Sequence, residues 1–262
     1  MCKQAIGVFD SGVGGISIWK EIINLLPREN TIYLADSKNA PYGQKSNEKI
    51  LALNIKNTEF LIQKGCKLIV VACNTATTNA ISYLRENYDV PFIGIEPAIK
   101  PAALRTHTNV IGILATKGTL SSELFYKTSQ NFTEGINVIE QVGEGLVPLI
   151  ENGKIESDEM DILLKKYLNP MIEQHIDYLV LGCSHYPFLI PKIRKIVGDN
   201  VTIIDSGEAV AIQTKAILEK NNLLNIMNYK AQHHLYSNTN IKTLQEILTG
   251  VQDHYTVKYL DF

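Results

Sequence analysis

The sequence predicts an α/β protein of two similar α/β lobes that face each other, with mainly parallel sheets. Three observations carry that expectation. Short β-branched and apolar runs alternate with helix-length amphipathic segments from one end of the 262 residues to the other, which is the rhythm of βαβ units. Strand-like segments also echo one another: Lys67-Leu68-Ile69-Val70-Val71-Ala72-Cys73-Asn74-Thr75 lines up with Asp177-Tyr178-Leu179-Val180-Leu181-Gly182-Cys183-Ser184-His185. Ile6-Gly7-Val8-Phe9 echoes Ile111-Gly112-Ile113-Leu114 at nearly the same spacing, as Ile93-Gly94-Ile95 echoes Ile203-Ile204-Asp205. Finally, polar residues follow the apolar runs, where an open parallel sheet places its ligand crevice. The echo has a plain alternative, since short apolar strands resemble one another by chance.

In chain order, strands are expected at 5–9, 31–35, 67–72, 91–95, 110–114, 136–141, 177–182 and 201–204, with helices in most gaps. The helix over 46–64 opens at Ser46, carries Ile50, Leu53, Phe60 and Leu61 on one broad face, and stops at Gly65, a suitable C-terminal cap. Ser157-Asp158-Glu159 opens a similar helix toward His175, which Pro170 is expected to bend or interrupt. No low-complexity linker divides the chain; the lobes are assigned as 1–96 with 208–262, and 97–207.

Composition removes several classes of function. Hydrophobic residues at 45% and charged residues at 20% exclude wholesale disorder and a coiled coil. A formal net charge of -2 provides no basic field for nucleic acid or an anionic membrane, so neither is an expected partner. No apolar run approaches a membrane span, and residues 1–5 lead directly into a strand with no signal-like segment. The expected location is the cytoplasm.

The four cysteines, Cys2, Cys66, Cys73 and Cys183, contain no CxxC pair and no zinc-finger spacing, so no structural metal is expected. Cys2 and Cys66 have no polar constellation beside them and read as structural or incidental. Cys73 and Cys183 share one context, a buried strand end followed by hydrogen-bonding residues at a helix entry, where a thiol pKa can be lowered. Free cysteine is also a common core residue, so either one alone reads equally as inert packing. Two matched thiols from two similar lobes suggest a reaction with one acid or base on each face of a planar intermediate. Racemisation is such a reaction.

Other residues stay open between roles. Asp10-Ser11-Gly12-Val13-Gly14-Gly15 could bring backbone amides to an anion, but it lacks the Lys-Ser/Thr of a P-loop and a full GxGxxG fingerprint. A nucleotide site is therefore a competitor, and a tight turn with Asp10 capping a helix is the plain reading. His185 could pair with Cys183 for acyl transfer, although no orienting acid is evident in the sequence. Glu151 reads locally as a solvated helix-end residue, Tyr42 and Tyr186 as packing, and Asn74-Thr75 as a helix cap. A two-lobed protein that binds an acidic amino acid without turning it over is a further competitor, though a pure binder has no need of opposed thiols.

Taken together, Phe9-Asp10-Ser11-Gly12-Val13-Gly14-Gly15, Asn39-Ala40-Pro41-Tyr42-Gly43, Ala72-Cys73-Asn74-Thr75-Ala76, Ala115-Thr116-Lys117-Gly118-Thr119 and Leu181-Gly182-Cys183-Ser184-His185-Tyr186-Pro187 resemble the glutamate racemases of the cofactor-independent aspartate/glutamate racemase superfamily. The resemblance spans most of the chain up to about residue 222. It implies two α/β lobes with the active site in the cleft between them, and interconversion of L-glutamate and D-glutamate without a cofactor, supplying D-glutamate for peptidoglycan, with aspartate racemisation as the close rival. It assigns Cys73 to the proton of D-glutamate and Cys183 to that of L-glutamate. Asp10 is implied beside the first thiol, Glu151 and His185 beside the second. Substrate contacts are implied for Asp10, Ser11, Pro41, Tyr42, Gly43, Asn74, Thr75, Thr116, Ser184 and His185. Ser184 departs from the threonine usual in the family, keeping the hydroxyl and losing a methyl. The expected assembly is a homodimer.

Overall fold

Strand β1 (Ile6–Asp10) lies parallel between β2 (Thr31–Ala35) and β3 (Leu68–Val71), and β4 (Phe92–Gly94) flanks β3. The second sheet repeats that order: β5 (Val110–Ala115) lies between β6 (Asn137–Val142) and β7 (Tyr178–Gly182), and β8 (Thr202–Ile204) flanks β7. The echo in the sequence thus corresponds to equivalent places in two sheets, β1 with β5, β3 with β7 and β4 with β8. This is a computed structural model describing residues 4–227 and 230–262, so Cys2 lies outside the described residues.

The first sheet has two further strands that the sequence reading does not contain, β9 (His233–Ser237) beside β2 and β10 (Tyr255–Tyr259) at its edge. Their sequences, HHLYS and YTVKY, lack the continuous apolar run that marks β1 or β3. β9 is alternately buried and half-buried, while β10 has one free edge and is mostly exposed. Every pairing among the described strands is parallel, and β1, β2 and β3 are buried along their whole length because both sheet faces are covered. Ile6 and Val8 point into one apolar core, and Phe9 points into a second.

The helices fill the crossovers: α1 (Ile16–Leu25), α2 (Asn47–Gln63), α3 (Asn74–Asn87), α4 (Ile99–Arg105), α5 (Lys117–Leu120), α6 (Glu123–Phe132), α7 (Leu146–Glu151), α8 (Asp158–Glu173), α9 (Ile190–Val197), α10 (Gly207–Lys220) and α11 (Lys242–Ile247). Ser46 and Ser157 cap α2 and α8 by accepting from Lys49 N and Met160 N. Gly65 takes the positive φ of 76° that ends α2. Pro170 does not interrupt α8, which continues to Glu173; three turns of helix precede it and the face of Leu164, Leu168 and Met171 is buried. Among the described residues no helix is long and apolar enough to cross a membrane.

The chain passes between the sheets twice, after β4 and after β8. Ser206 Oγ donates to the Glu96 carbonyl, so the two crossings are tied together. α10 then returns to pack on α1 of the first sheet.

Candidate active site

In each sheet the strand order reverses beside a central strand, between β1 and β3 and between β5 and β7. At such a point the connections leave in opposite directions and open a crevice at the carboxyl ends of the strands. Asp10, Ser11 and Cys73 stand at the first opening, Thr116 and Cys183 at the second. The two openings face each other. Cys73 and Cys183 line one small cavity together with Ser11, Pro41, Tyr42, Gly43, Asn74, Thr75, Thr116, Ser184 and His185. Val147, which the sequence does not single out, lines it as well. Asp10 and Glu151 do not line this cavity; they stand behind residues that do.

Cys73 is itself the N-cap of α3, a role the sequence reading gives to Asn74-Thr75. Its Sγ accepts from Ala76 N at 3.4 Å and lies 3.6 Å from Ser11 Oγ. The amide contact favours a thiolate, but burial dominates and, with the nearby Asp10 charge, pushes the Cys73 thiol pKa well up. The lowering expected from a helix entry is therefore overridden in this state. Asp10 is fully buried and does not cap α1: its carboxylate accepts from Gly12 N and from Ser184 Oγ, each at 3.0 Å. Burial raises its pKa too, against the opposing pull of His185.

The second thiol has the stronger apparatus. His185 Nδ1 lies 3.8 Å from Cys183 Sγ, and Nε2 lies 2.5 Å from Glu151 Oε1. Burial alone would lower the imidazole pKa; the contacts with Cys183 and Glu151 outweigh it and hold the pKa well above its ordinary value. Glu151 is affected in the opposite sense. Burial opposes its charge, yet His185, Ser37 Oγ and Val13 N keep its carboxyl below the usual range. With Nε2 directed to Glu151, Nδ1 faces the thiol, and the raised basicity of the ring suits it to exchange a proton with that thiol. Although Glu151 does end helix α7, its side chain turns inward and is only 12% exposed.

The glycine-rich loop explains how Glu151 is held. Val13 N donates to Glu151 Oε1 at 2.7 Å, and Ser37 Oγ donates to Oε2 at 2.7 Å. Close approach requires the glycines: a Cβ on Gly12 would lie 1.9 Å from Glu151 Oε1, and one on Gly14 2.2 Å from His185 Nδ1. The loop amides do point at anions, but the anions are the chain's own Asp10 and Glu151 carboxylates. That removes the phosphate-binding reading of residues 10–15.

The remaining cavity wall is rich in neutral donors. Thr75 Oγ1 and Thr116 Oγ1 meet across the cleft at 2.8 Å, and Thr119 joins both hydroxyls at 3.3 and 3.0 Å. Asn74 is buried, and neither atom of its amide has a hydrogen-bond partner among the described residues. Tyr42 lines the cavity with its ring, but its hydroxyl turns away to Asp36 Oδ2 at 2.5 Å and accepts from Asn57 Nδ2 at 3.3 Å. Tyr186 is a packing residue whose hydroxyl donates to the Gly143 carbonyl at 3.1 Å. Cys66 is buried away from the site, its thiol pushed up to about 12 by burial. Among the described residues no cluster of three or more His, Cys, Asp or Glu could hold a metal ion.

The sequence reading misses Asp36, Ser37 and Thr119. Asp36 and Ser37 directly follow the strand at 31–35, so the strand-end rule that singles out Asp10 and Cys73 applies to them equally. Thr119 has no comparable signal, because its place in the threonine cluster depends on two other loops.

Known proteins resemble this chain in sequence and in fold. The pattern of the family described as Asp/Glu/Hydantoin racemase matches residues 6–214. A glutamate racemase of Herpetosiphon aurantiacus is 45% identical over 225 residues, covering 86% of this chain and 89% of that relative. Among solved structures, a glutamate racemase isoform from Bacillus anthracis superposes with a TM-score of 0.87 at 32% identity, covering 100% of this chain and 99% of that one. A Francisella tularensis glutamate racemase in complex with D-glutamate gives 0.84 at 28% identity, covering 100% and 98%. With the fold, the paired strand-end thiols and the extent of these matches in agreement, this chain belongs to the Asp/Glu/Hydantoin racemase family.

Proposed function

We propose that this chain interconverts L-glutamate and D-glutamate by proton transfer at the α carbon, using two thiols and no cofactor. The observation that carries this reading is that Cys73 and Cys183, from different sheets, line one cavity. A Cys183–His185–Glu151 centre for acyl transfer would leave Cys73 without a part. The names of the relatives support glutamate as substrate, as does the D-glutamate in one structural neighbour.

In the proposed reaction Cys183 thiolate removes the Cα proton of L-glutamate while Cys73 thiol delivers a proton to the opposite face. From D-glutamate the roles reverse. His185, oriented by Glu151, is the base that draws the proton from Cys183. Asp10 is assigned to Cys73. Burial raises the Cys73 pKa, and a substrate ammonium arriving beside it would oppose that by stabilising the thiolate. Ser11, Pro41, Tyr42, Gly43, Asn74, Thr75, Thr116, Ser184 and His185 are assigned to substrate. Pro41, Tyr42 and Gly43 would serve through backbone and ring surface, because the Tyr42 hydroxyl is engaged by Asp36. Neutral donors hold carboxylates without over-stabilising the ground state relative to the carbanion-like transition state.

We take 1–96 with 208–262 as one lobe and 97–207 as the other, and expect a cytoplasmic homodimer that supplies D-glutamate for peptidoglycan. Incubation with L-glutamate in D2O, following the Cα proton by NMR, tests the reading. Exchange with a preference over aspartate of at least about tenfold in kcat/KM is expected, since a shorter side chain leaves buried donors unpaired at about 1–3 kcal/mol each. Comparable efficiency on aspartate would reassign the substrate, and no exchange with either would end the proposal.

A further inference from the structure

A two-thiol racemase has a problem after each turnover. Conversion of L- to D-glutamate leaves Cys183 as thiol and Cys73 as thiolate, whereas the next L-glutamate needs the reverse. One proton must cross the site before the enzyme can act again in that direction.

Ser184 stands where such a crossing would run. Its Oγ lies 3.0 Å from Asp10 Oδ1 and 3.5 Å from His185 Nδ1, and His185 Nδ1 is also 3.8 Å from Cys183 Sγ. At the other end, Asp10 acts electrostatically on Cys73, whose Sγ contacts Ser11, the neighbour of Asp10 in sequence. The three residues are buried, so bulk water does not have free access to the chain of contacts. Ser184 is fixed at its backbone as well, because its carbonyl accepts from Ser17 Oγ of α1 at 2.9 Å.

Resting on the glutamate racemisation proposed above, we infer that Ser184 is a proton-relay residue that resets the two thiols between turnovers. The step balances as one proton moved. Cys183 S–H gives its proton to His185 Nδ1, His185 passes a proton to Ser184 Oγ as Ser184 O–H passes its own to Asp10 Oδ1, and Asp10 delivers it to Cys73 thiolate. No oxidant, reductant or co-reactant is needed. The raised pKa of Asp10 fits a group that takes up the proton briefly. A serine hydroxyl suits the step because one oxygen accepts from one side and donates to the other.

The test is a tracer experiment. Enzyme is equilibrated with labelled glutamate of both hands, excess unlabelled L-glutamate is added, and the labelled enantiomers are followed in time. A slow reset makes unlabelled flux drive label transiently away from its equilibrium ratio, and small acid–base buffers then raise kcat by carrying the proton instead. The wild type is expected to show neither effect. Ser184→Thr keeps the hydroxyl and should show neither displaced label nor buffer response, whatever the added methyl does to substrate binding. Ser184→Val has nearly the shape of threonine without the hydroxyl, and should lose about tenfold or more in kcat, displace the label and recover with buffer. Buffer-dependent turnover or displaced label in the wild type would overturn the relay without any variant. So would a Ser184→Val enzyme with normal kcat, or one slowed with neither displaced label nor buffer response, which is the signature of a positioning role alone. Failure of the underlying reading is distinct, because wild type would then exchange no α proton in D2O.

Discussion

The Val13 amide and the Glu151 carboxylate, 138 positions apart in the chain, meet at 2.7 Å, so a loop at the end of β1 holds the acid that orients the histidine beside Cys183. One strand end in the first sheet therefore helps to build the second sheet's half of the site. The glycines of that loop permit the approach, which gives a direct test.

Gly14→Ala would place a methyl group 2.2 Å from His185 Nδ1. The imidazole must move off Cys183, and misplacement by about 1 Å costs about 100-fold in rate. Steady-state kinetics should show that loss mainly in kcat, with circular dichroism still reporting a folded protein. Undiminished kcat would mean that the His185 position seen here is not required.

Cys73→Ala and Cys183→Ala should each lower racemisation by at least about 100-fold, and the double variant should be little worse than either single one, since each thiol serves one face of the same intermediate. A polarimetric assay of all three variants is sufficient. Near-native turnover in either single variant would refute the two-thiol reaction.

Glu151→Gln should bring the His185 pKa down toward its ordinary value, because an opposite charge stabilising the imidazolium is removed. The sign for stability follows. A histidine whose folded pKa lies above the unfolded value of about 6.5 contributes stability that is fully present below that value and is lost as pH rises through the folded pKa. Between those two values, urea unfolding of the wild type should show stability falling with pH from this site, and the slope should lessen in the variant. Imidazole NMR titration reads the pKa directly; an unchanged His185 titration would contradict the assignment.

Asn74→Ala should reduce kcat/KM for glutamate at least about tenfold without lowering Tm. Its buried amide has no partner among the described residues, so truncation removes a desolvation penalty of about 1–3 kcal/mol, while substrate loses a donor and an acceptor. A fall in Tm with normal kinetics would make Asn74 a packing residue.

Lys67→Ala should destabilise the protein by about 3–5 kcal/mol, the cost of leaving one member of a buried ion pair uncompensated. Lys67 Nζ lies 2.6 Å from Glu29 Oε2 and 2.7 Å from the Leu223 carbonyl, while Glu29 Oε1 accepts from Asn225 N at 2.6 Å. The pair thus ties the segment before β9 to the first sheet. Denaturant unfolding measures the change, and a loss below about 1 kcal/mol would place the pair among weak surface bridges.

Sequence alone determined the parallel strands from β1 to β8, the two thiols at equivalent strand ends, and the caps at Ser46, Gly65 and Ser157. These depend on apolar period, strand-end chemistry and residues a few positions apart, which a linear chain displays directly. The resemblance added Asp10, Glu151 and His185 as neighbours of the thiols, a grouping that local pattern does not reveal. β9 was hidden because its burial alternates through histidine, serine and tyrosine, and β10 because an edge strand needs no apolar run. Tertiary structure decided the rest: that the loop amides of residues 12 and 13 hold Asp10 and Glu151 instead of a bound phosphate, that the Tyr42 hydroxyl belongs to Asp36, and that Ser184 bridges Asp10 and His185. Such partners lie as many as 174 positions apart, and only the closing of two sheets over one cavity brings them within hydrogen-bond range. Burial in that cavity then reversed the pKa expected for Cys73 at a helix entry, because loss of solvation outweighs one amide contact.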